Sequence, residues 1–348
     1  MNVLYKNIIA PSAGILDAMN KLGEAGNKLT LFVLDDDQKL IGTLTDKDIR
    51  QGLIAGKKTS DTVEAFMCRK FRFLREHTFT MEESMRLKAD GIKVVPLLDK
   101  NDRIVRLIDF DEVRSALPFD VVLMAGGRGE RLKPLTDATP KSLLMVGDKP
   151  ILEHNIDRLM SYGISEFIIT IRYMAQQVMD YFGNGDSKGI DITYIKENLP
   201  MGTIGSISLI EEFTHDHVLI VNSDLLTDID YEAFYKHFIE EGADMAIASA
   251  PYQVKLPFIA LHTEGNNVTG YAKRPMFNYN CNAGVYLIKR ELLKMIPVER
   301  SFNATDFMNL LFENGNKLTY FPISGYWLDI SEYSDYMRAN EDIKYISK

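Results

Sequence analysis

Two hydrophobic patterns alternate along most of this 348-residue chain. Short apolar runs bounded by glycine, proline or acidic residues predict buried strands, and apolar residues spaced three and four positions apart predict helices. After the first third, strands are predicted at Val121–Met124, Phe167–Ile171, Ile190–Lys196 and Val218–Asn222. Helices are predicted near Ile151–Met160, near Met174–Phe182 and after Gly202-Thr203. This alternation predicts an α/β fold with a doubly wound, mostly parallel sheet that carries helices on both faces.

The first third of the chain contains a weak internal repeat, in which residues 33–50 align with residues 97–114. Each copy is predicted to form a strand, an acidic turn, a second strand and then a helix. Helical apolar spacing also lies upstream of each copy, at Ile15–Leu22 and at Met81–Lys88. The pattern therefore predicts two copies of one small α/β unit.

A proline ends the repeat at Pro118, directly before the strand that begins at Val121. We therefore expect a domain boundary there, with a smaller α/β domain at 1–117 and a larger domain at 118–348. Both segments are long enough to form their own hydrophobic cores.

Composition and charge narrow the classes of partner. The chain is 46% apolar, carries a net charge of −9 and has a pI near 5.3, so a nucleic acid partner is disfavoured. No apolar run approaches the ~20 residues that span a bilayer, and the first residues lack a long apolar segment. With only Cys68 and Cys281, two buried thiols in a reducing compartment are expected, which favours the cytoplasm.

The most specific motif is VVLMAGGRGERLKPLT at Val121–Thr136, followed by Pro140-Lys141-Ser142. It differs from the dinucleotide fingerprint, since Leu132 stands where the last glycine is required, and from a Walker loop, since Lys141 follows a proline. Glycines allow backbone N–H groups to surround an anion, and Arg131 and Lys141 supply positive charge. The motif therefore indicates binding of a triphosphate.

This segment resembles the signature of sugar-1-phosphate nucleotidyltransferases, L-x-A-G-G-x-G-x-R-L-x-P-L-T followed by P-K. The resemblance implies a Rossmann-like fold and attack of a sugar-1-phosphate oxygen on the α-phosphorus of a nucleoside triphosphate. It implies that Arg131 takes charge on the leaving pyrophosphate and that Lys141 faces the α-phosphate. The residues that it implies for nucleotide binding are Leu123, Ala125, Gly126, Gly127, Arg128, Gly129, Gly202 and Thr203.

The same resemblance implies a Mg²⁺ site formed by two aspartates. Asp224 ends an apolar strand at the place of the family's metal-binding Asp, and Asp329 lies in a segment similar to the family's G-x-W-x-D-x-G. Ser331 replaces the final glycine of that segment. Magnesium prefers one or two carboxylates with substrate phosphates as further ligands, so Mg²⁺ is the expected cofactor.

Three residues are implied for binding the sugar phosphate. Glu197 begins a segment that resembles the family's E-x-x-x-x-G-T, and Asn282 begins one that resembles N-x-G-x-Y. Where the family usually has Glu-Lys-Pro, this chain has Lys273-Arg274-Pro275, so Arg274 is expected to pair with the sugar phosphate. Because Lys273 reverses the charge of the usual sugar-binding Glu, the identity of the sugar stays open.

The repeat in the first third resembles a tandem of CBS domains, which pair and bind adenosine nucleotides or related ligands. The first copy matches the ribose-contacting pattern G-x-[V/I/L]-[S/T]-x-x-D at Gly42–Asp48, with Thr45 and Asp48 as the implied contacts. The second copy departs from the pattern at three corresponding positions, Arg106, Asp109 and Glu112. We expect about one adenosine or guanosine nucleotide per tandem. The alternative is a purely structural or oligomerising module, and a homo-oligomer is expected.

The order of the domains resembles that of bacterial glucosamine-1-phosphate and mannose-1-phosphate guanylyltransferases. This implies transfer of GMP from GTP to a hexose- or hexosamine-1-phosphate for glycan biosynthesis. Open alternatives are uridylyl or thymidylyl transfer, a cytidylyltransferase acting on phosphocholine, and a nucleotide-sensing scaffold without catalysis. A degenerate enzyme is expected to lose one of Arg131, Lys141, Asp224 or Asp329, and this chain retains all four.

Overall fold

The computed structural model describes residues 7–24 and 30–346. The first six residues lie outside these ranges. Their lack of a long apolar segment was one basis for the expected cytoplasmic location. The described residues divide into two compact units. The bounds of the first unit are Met1–Pro118, Leu159–Ser165 and Gly185–Asp191, and those of the second are Phe119–Arg158, Glu166–Asn184 and Ile192–Lys348.

The first unit contains both copies of the repeat. The first copy consists of β1 (Ile8–Ile9), α1 (Ile15–Glu24), β2 (Thr30–Leu34), β3 (Leu40–Thr45), α2 (Asp46–Ile54) and α3 (Val63–Phe66). The second copy consists of β4 (Leu74–Arg75), α4 (Met81–Ala89), β5 (Val94–Leu98) and β6 (Ile104–Asp109). In each copy the first strand runs parallel to the second, and the second runs antiparallel to the third. The two sheets therefore share one topology.

The helix predicted after the second strand forms in the first copy only. Thr45 caps α2 through a capping box with Asp48, which satisfies amide groups at the start of the helix. The corresponding prediction for the second copy is wrong, because residues 110–118 form a turn that is not continued. There the Asp109 carboxylate accepts from the Asp111 amide at 3.0 Å. Pro118 aligns with the last residue of α2, where it cannot donate a helical hydrogen bond.

The two copies also share a hydrophobic cluster. Phe32 and Leu34 of β2 pack in one cluster with Val94 and Leu98 of β5. The Leu40 amide donates to the Asp102 carbonyl at 2.8 Å, which links the turns of the two copies. Burial of these large apolar side chains stabilises the pairing of the two sheets.

Among its described residues, the second unit is built on a sheet of seven strands. These are β7 (Asp120–Ala125), β10 (Glu166–Ile171), β11 (Asp191–Lys196), β12 (His217–Asn222), β14 (Met245–Lys255), β17 (Met276–Lys289) and β18 (Leu318–Pro322). Their order across the sheet is β11-β10-β7-β12-β17-β14-β18. The short strands are β8 (Met145–Val146), β9 (Lys149–Pro150), β13 (Leu225–Thr227), β15 (Ile259–Glu264), β16 (Asn267–Lys273) and β19 (Trp327–Asp329). The helices are α5 (Ile151–Met160), α6 (Ala175–Phe182), α7 (Tyr231–Glu240), α8 (Ala304–Glu313) and α9 (Tyr333–Ile346).

The central sheet is rich in parallel pairs. Strand β7 runs parallel to β10 and to β12, and β14 runs parallel to β18, while β17 is antiparallel to both of its neighbours. The apolar runs of β7 and β12 are buried along most of their length, as expected for strands covered on both faces. The expected α/β fold class is confirmed. The carboxyl ends of β7 and β12, which parallel strands place on one edge, carry the residues of the glycine motif and Asp224.

Two segments extend the predicted pattern. The helix predicted after Gly202-Thr203 is a 3₁₀ helix of five residues, Gly205–Leu209. Beyond the sheet, β14 and β17 continue as a two-stranded ribbon, which ends in the β15–β16 hairpin. Within the described residues, every helix is too short or too polar to cross a bilayer.

Candidate active site

The glycine motif forms a tight loop after β7. A side chain at Gly126 would place its Cβ 2.6 Å from the Glu197 carboxylate. Gly129 has φ +64°, and a Cβ there would lie 2.9 Å from Thr136 Cγ2 and 3.1 Å from Lys141 Cβ. The Gly129 carbonyl also accepts from the Thr136 hydroxyl at 2.8 Å. The loop therefore keeps its backbone uncovered and brings Lys141 against it.

Gly129→Ala is expected to destabilise the protein by about 1–2 kcal/mol, because a left-handed backbone is unfavourable for residues with a Cβ. Gly127→Ala is the matched control, since its φ is not positive and a Cβ there meets open space. Chemical denaturation of the two variants measures the difference. Equal stability of both variants would contradict the role assigned to the turn at Gly129.

Lys141 and Asp224 form an ion pair at the edge of the sheet. Lys141 begins a short 3₁₀ helix after Pro140, and Asp224 follows the end of β12. Their side chains are 13% and 23% exposed, so the pair is largely shielded from solvent. Two residues far apart in the sequence are thus brought together at this edge of the sheet.

Asp224 and Asp329 are brought together by the pairing of β13 with β19. Leu225 pairs with Asp329, and the Ile330 amide donates to the Asp224 carbonyl at 3.0 Å. Burial, and next the charge of Asp224, raise the pKa of Asp329 to about 6, while Lys141 and Arg131 oppose the shift. The structure thus holds two carboxylates close to each other at an energetic cost.

The donor atoms of these two aspartates fit a divalent cation. In the part of the chain that the structure describes, Asp224 Oδ1 and Asp329 Oδ1 are buried without a hydrogen-bond partner. Hard oxygen donors of this kind suit Mg²⁺, which is bound by one or two carboxylates and completes its shell with phosphate and water. Among residues 7–24 and 30–346, no cluster of three or more His, Cys, Asp or Glu residues forms a closed metal site. An open site that shares its cation with a substrate is consistent with these observations.

A cavity of about 320 Å³ lies beside Asp329. Three residues predicted from the sequence line it, namely Thr203, Asn282 and Asp329. Sequence analysis gave no role in this wall to its other polar residues, which are Asn222, Tyr286, Asn303, Thr305 and Trp327. The cavity therefore combines amide and hydroxyl groups with one carboxylate, which are groups that can bind sugar hydroxyls.

Asn282 is held in place by two hydrogen bonds. Its Nδ2 donates to the Tyr286 hydroxyl at 2.9 Å, and its Oδ1 accepts from the Gly284 amide at 3.0 Å. Gly284 has φ +74°, and a Cβ there would lie 2.6 Å from Asn222 Nδ2. Gly284 thus leaves room for Asn222 beside Asn282 in the wall of the cavity. This glycine is part of the N-x-G-x-Y segment that the sequence showed.

The Gly202-Thr203 turn is anchored on the start of α8. The Thr203 hydroxyl accepts from the Ala304 amide at 2.8 Å, and the Thr203 amide donates to Asn303 Oδ1 at 3.3 Å. Gly202 has φ +76°, and a Cβ there would lie 2.6 Å from the Phe302 carbonyl. The turn therefore forms one fixed wall of the cavity.

Glu197 lies against the glycine loop, outside the cavity that Asn282 lines. Its side chain is only 5% exposed, and its Oε2 lies 3.7 Å from Arg172 Nε. Burial raises the pKa of the Glu197 carboxyl, while the charge of Arg172 opposes the shift. Glu197 is not among the residues that line the cavity of Asn282. Its neighbour Arg172 was not selected by sequence analysis.

The two arginines of the glycine motif extend into solvent. Arg131 is 68% exposed, with its Nη1 4.0 Å from Glu332 Oε1. Arg128 lies over the Tyr173 ring at 5.3 Å. Of the other motif residues, Leu123 is buried in the core of β7 and Ala125 ends that strand. The Leu123 side chain is therefore part of the core, whereas the exposed arginine heads are accessible to an anion.

Arg274 lies away from the other predicted site residues. It occupies the turn between β16 and β17 with φ +49° and is exposed. A straight strand of the length that separates it from Asn282 covers roughly 25 Å, at about 3.3 Å per residue. The structure therefore does not bring Arg274 to the cavity.

In the first unit, Thr45 and Asp48 contact each other. The Thr45 amide donates to Asp48 Oδ2 at 2.9 Å, and Thr45 Oγ1 accepts from the Asp48 amide at 3.3 Å. In the second copy, Arg106 stands at the position of Gly42 and donates to the Gly163 carbonyl at 2.5 Å. Both implied ribose contacts of the first copy are thus already used in capping α2.

The expectation of two buried thiols is wrong. Cys68 and Cys281 are both half-buried and unpaired. Cys281 follows the exposed residues 276–280 of β17 and precedes the buried residues 283–288, so its thiol lies where the strand leaves the core.

Comparison with known proteins places these features in a family. The model of the family described as nucleotidyl transferase matches residues 120–345, and that of the CBS domain matches residues 7–55. A rice protein (Oryza sativa subsp. japonica) named probable mannose-1-phosphate guanylyltransferase 1 is 27% identical over 226 residues, covering 62% of each chain. Mannose-1-phosphate guanyltransferase beta-A of Xenopus laevis is 25% identical over 225 residues, again covering 62% of each chain. The chain thus spans 62% of the length of these relatives.

A solved structure shares the fold. HddC from Yersinia pseudotuberculosis aligns with a TM-score of 0.51 at 24% identity, over 65% of this chain and 99% of that one. This likeness concerns the fold alone. The nucleotidyl transferase match covers more than half of the chain and contains the glycine loop, Lys141 and both aspartates. The protein therefore belongs to the nucleotidyl transferase family.

Proposed function

We propose that the protein transfers GMP from GTP to a hexose- or hexosamine-1-phosphate and releases pyrophosphate. The observation that carries the proposal is the grouping of Lys141, Asp224 and Asp329 beside an uncovered glycine loop. In this reaction a phosphate oxygen of the sugar phosphate bonds to the α-phosphorus of GTP. The bond from the α-phosphorus to the bridging oxygen breaks, and its electron pair leaves with pyrophosphate. The product is a nucleoside diphosphate sugar.

The chain's own residues would act by positioning and by charge, since the reaction requires no protein nucleophile. The backbone of Gly126–Gly129 would bind the triphosphate, and Lys141 would face the α-phosphate. Arg131, which is exposed beside the loop, would take charge on the leaving pyrophosphate. Asn282 and Thr203 would bind the sugar in the cavity.

Mg²⁺ is the proposed cofactor, held by Asp224 and Asp329 through their unpartnered oxygens. When bound, it would supply positive charge to the phosphate groups that react. It would also offset the repulsion between the two carboxylates, which is one cause of the raised pKa of Asp329. Lys141 would remain next to Asp224, where it adds a second positive charge at the α-phosphate.

Guanine and a mannose-type or glucosamine-type sugar are the proposed base and sugar. Similarity to proteins named mannose-1-phosphate guanylyltransferase supports guanine and mannose-1-phosphate. Lys273 reverses the charge of the usual sugar-binding Glu, and Arg274 does not reach the cavity. The residues that line the cavity would therefore select the sugar. Bacterial glycan biosynthesis in the cytoplasm is the proposed setting.

One assay tests these proposals together. Purified protein with Mg²⁺ is incubated with GTP, UTP, dTTP or CTP against mannose-1-phosphate, glucosamine-1-phosphate, glucose-1-phosphate or phosphocholine, and pyrophosphate is measured. The expected result is release with GTP and a sugar-1-phosphate. Release with UTP or dTTP overturns the choice of base, and release with CTP and phosphocholine overturns the sugar class. No release with any pair supports a scaffold without catalysis.

For the first unit we propose a tandem CBS module over residues 1–117, followed by the transferase domain over 118–348. The matching topology of the two sheets and their shared hydrophobic cluster support pairing of the copies. The proposed ligand is one adenosine or guanosine nucleotide at Thr45 and Asp48, which regulates the rate of transfer. Each of these side chains would have to serve both the helix cap and the ribose.

Thr45→Ala is expected to abolish binding of AMP to the full-length protein, because it removes the hydroxyl that the half-site would present to the ribose. Asp109→Ala, at the corresponding position of the second copy, is the matched control and is expected to leave binding unchanged. Isothermal titration calorimetry with AMP measures both variants, and ATP, GTP and the nucleotide-sugar product are tested in the same way. If the unmodified protein shows no heat with AMP and its kinetics do not respond to AMP, the module has a structural role only.

A further inference from the structure

Tyr173 lies at the same edge of the sheet as the glycine motif. It follows β10, whose last residue, Ile171, pairs with Ala125 at the end of β7. Because β7 and β10 are parallel, the segments that follow them leave the sheet at one edge, where such folds bind their ligands. Tyr173 is half-buried there. The reaction proposed above assigns no role to this residue.

The hydroxyl of Tyr173 holds the last residue of the glycine motif. It donates to the Thr136 carbonyl at 3.1 Å. Thr136 is fully buried, and its own hydroxyl donates to the Gly129 carbonyl at 2.8 Å. Gln177 of α6 donates to the Ala138 carbonyl at 3.1 Å, close to the same segment. The connection between β10 and α6 therefore fixes the segment that closes the loop, and Tyr173 is linked to the turn at Gly129 through a single residue.

The ring of Tyr173 holds the head of Arg128. The guanidinium carbon lies 5.3 Å from the ring centroid, which is within the range of a cation–π contact. Arg128 Nη1 also lies 3.4 Å from Glu130 Oε1, and the arginine side chain is 56% exposed. A guanidinium has five N–H donors, so these contacts leave donors open to a ligand. An arginine that is already held in place loses less conformational freedom when it binds an anion.

The outer phosphates of a nucleoside triphosphate are the anion that fits this arrangement. In the proposed reaction the α-phosphate would lie at Lys141, whose side chain is only 13% exposed in its pair with Asp224. The β- and γ-phosphates would extend from there along the glycine loop toward solvent, on which the Arg128 head opens. Guanidinium groups bind phosphate oxygens through paired hydrogen bonds. A nucleoside monophosphate lacks the groups that Arg128 would bind.

We propose that Tyr173 is a positioning residue for the outer phosphates of the nucleoside triphosphate. Its ring holds Arg128, and its hydroxyl fixes the loop through Thr136, so one side chain sets two parts of the phosphate site. The inference rests on the proposed function, because it requires that a triphosphate binds at the glycine loop. Loss of the Tyr173 ring should therefore weaken the binding of GTP and leave that of GMP nearly unchanged.

Isothermal titration calorimetry of the full chain with GTP or GMP, in the presence of Mg²⁺ and without a sugar phosphate, tests the proposal. Tyr173→Leu is expected to weaken GTP binding about tenfold and GMP binding by less than about twofold, because a cation–π contact and a hydrogen bond are lost. Tyr173→Phe keeps the ring and is expected to retain most of the affinity for GTP. Tyr194→Leu is the matched control. Tyr194 is also half-buried, and its hydroxyl donates to the Gly183 carbonyl at 2.8 Å, so both affinities are expected to stay unchanged.

Arg128→Ala, measured in two backgrounds, separates positioning from a general loss of structure. If Tyr173 acts through Arg128, this substitution weakens GTP binding strongly in the unmodified protein and only slightly in the Tyr173→Leu variant. Circular dichroism shows whether each variant is folded. If Tyr173→Leu is unfolded, Arg128→Ala alone, at an exposed side chain, must still weaken GTP binding more than GMP binding.

The results separate failure of this inference from failure of the proposed function. If the unmodified protein releases pyrophosphate but folded Tyr173→Leu binds GTP just as tightly, the inference alone is overturned. Equal losses for GTP and GMP, or fully additive effects of Tyr173→Leu and Arg128→Ala, overturn it as well. If the unmodified protein binds none of GTP, UTP, dTTP and CTP and releases no pyrophosphate, both proposals are overturned. If it binds another of these triphosphates in place of GTP, the choice of base is overturned, and the same variants measured with that nucleotide and its monophosphate decide the role of Tyr173.

Discussion

Asp224→Asn and Asp329→Asn are each expected to lower the rate of pyrophosphate release by about a thousandfold. A metal ion contributes several kcal/mol of charge stabilisation to such a reaction, and each ~1.4 kcal/mol is a factor of ten in rate. An amide keeps the size of the side chain but loses the charge that would hold the proposed cation. Steady-state kinetics with varied Mg²⁺ measures the effect, and near-normal turnover of both variants would exclude the assignment.

The stability of the same variants separates a functional role from a structural one. Because burial and the nearby Asp224 raise the pKa of Asp329 to about 6, its ionisation at pH 7 opposes folding. Asp329→Asn is therefore expected to raise Tm at pH 7 in the absence of Mg²⁺. The gain should shrink as the pH falls below the folded pKa, where Asp329 is already neutral. Asp224→Asn should lower Tm instead, since it removes the partner of Lys141.

Asp230→Asn is the matched control for both aspartates. Asp230 is exposed and caps α7 by accepting from the amides of Glu232 and Ala233. Asn caps helices as well as Asp does, so this variant makes the same chemical change six residues after Asp224 in the sequence. Its rate and its Tm are expected to match those of the unmodified protein. A loss of rate in the control would show that the assay responds to charge in general.

Much of the fold followed from the hydrophobic pattern. The strands around Val121, Phe167 and Val218 and the helix at Ile151–Met160 lie where the pattern predicted them. Strong periodicity over a buried element leaves little freedom, because a shift by one residue would expose the whole apolar face of a strand. The helix after β6 was predicted wrongly, because the repeat suggested one and a local turn at Asp109 ended it.

The site was predictable as far as short motifs fix it. The glycine motif and the Pro140-Lys141 that follows it were enough to select Lys141. That Lys141 lies next to Asp224 could not be read from the sequence, because it depends on the pairing of β7 with β12 in the sheet. Asn222 could not be selected from the sequence, since it comes near Gly284 only through the pairing of β12 with β17. Arg274 shows the opposite case, because its motif position suggested a contact that the extended ribbon does not make.

Lys141→Ala is expected to reduce kcat by about a hundredfold or more while KM for the sugar phosphate changes little. Lys141 lies beside the glycine loop. In the proposed reaction it would face charge that redistributes as the bond to pyrophosphate breaks, so its loss would act on the transition state. Arg131→Ala is expected to act in the same direction by a smaller factor, since its exposed guanidinium is screened by water. Lys149→Ala, which removes a lysine from an ion pair with Asp157, is the control. A rise in KM with unchanged kcat for Lys141→Ala would show that the lysine binds substrate and transition state equally.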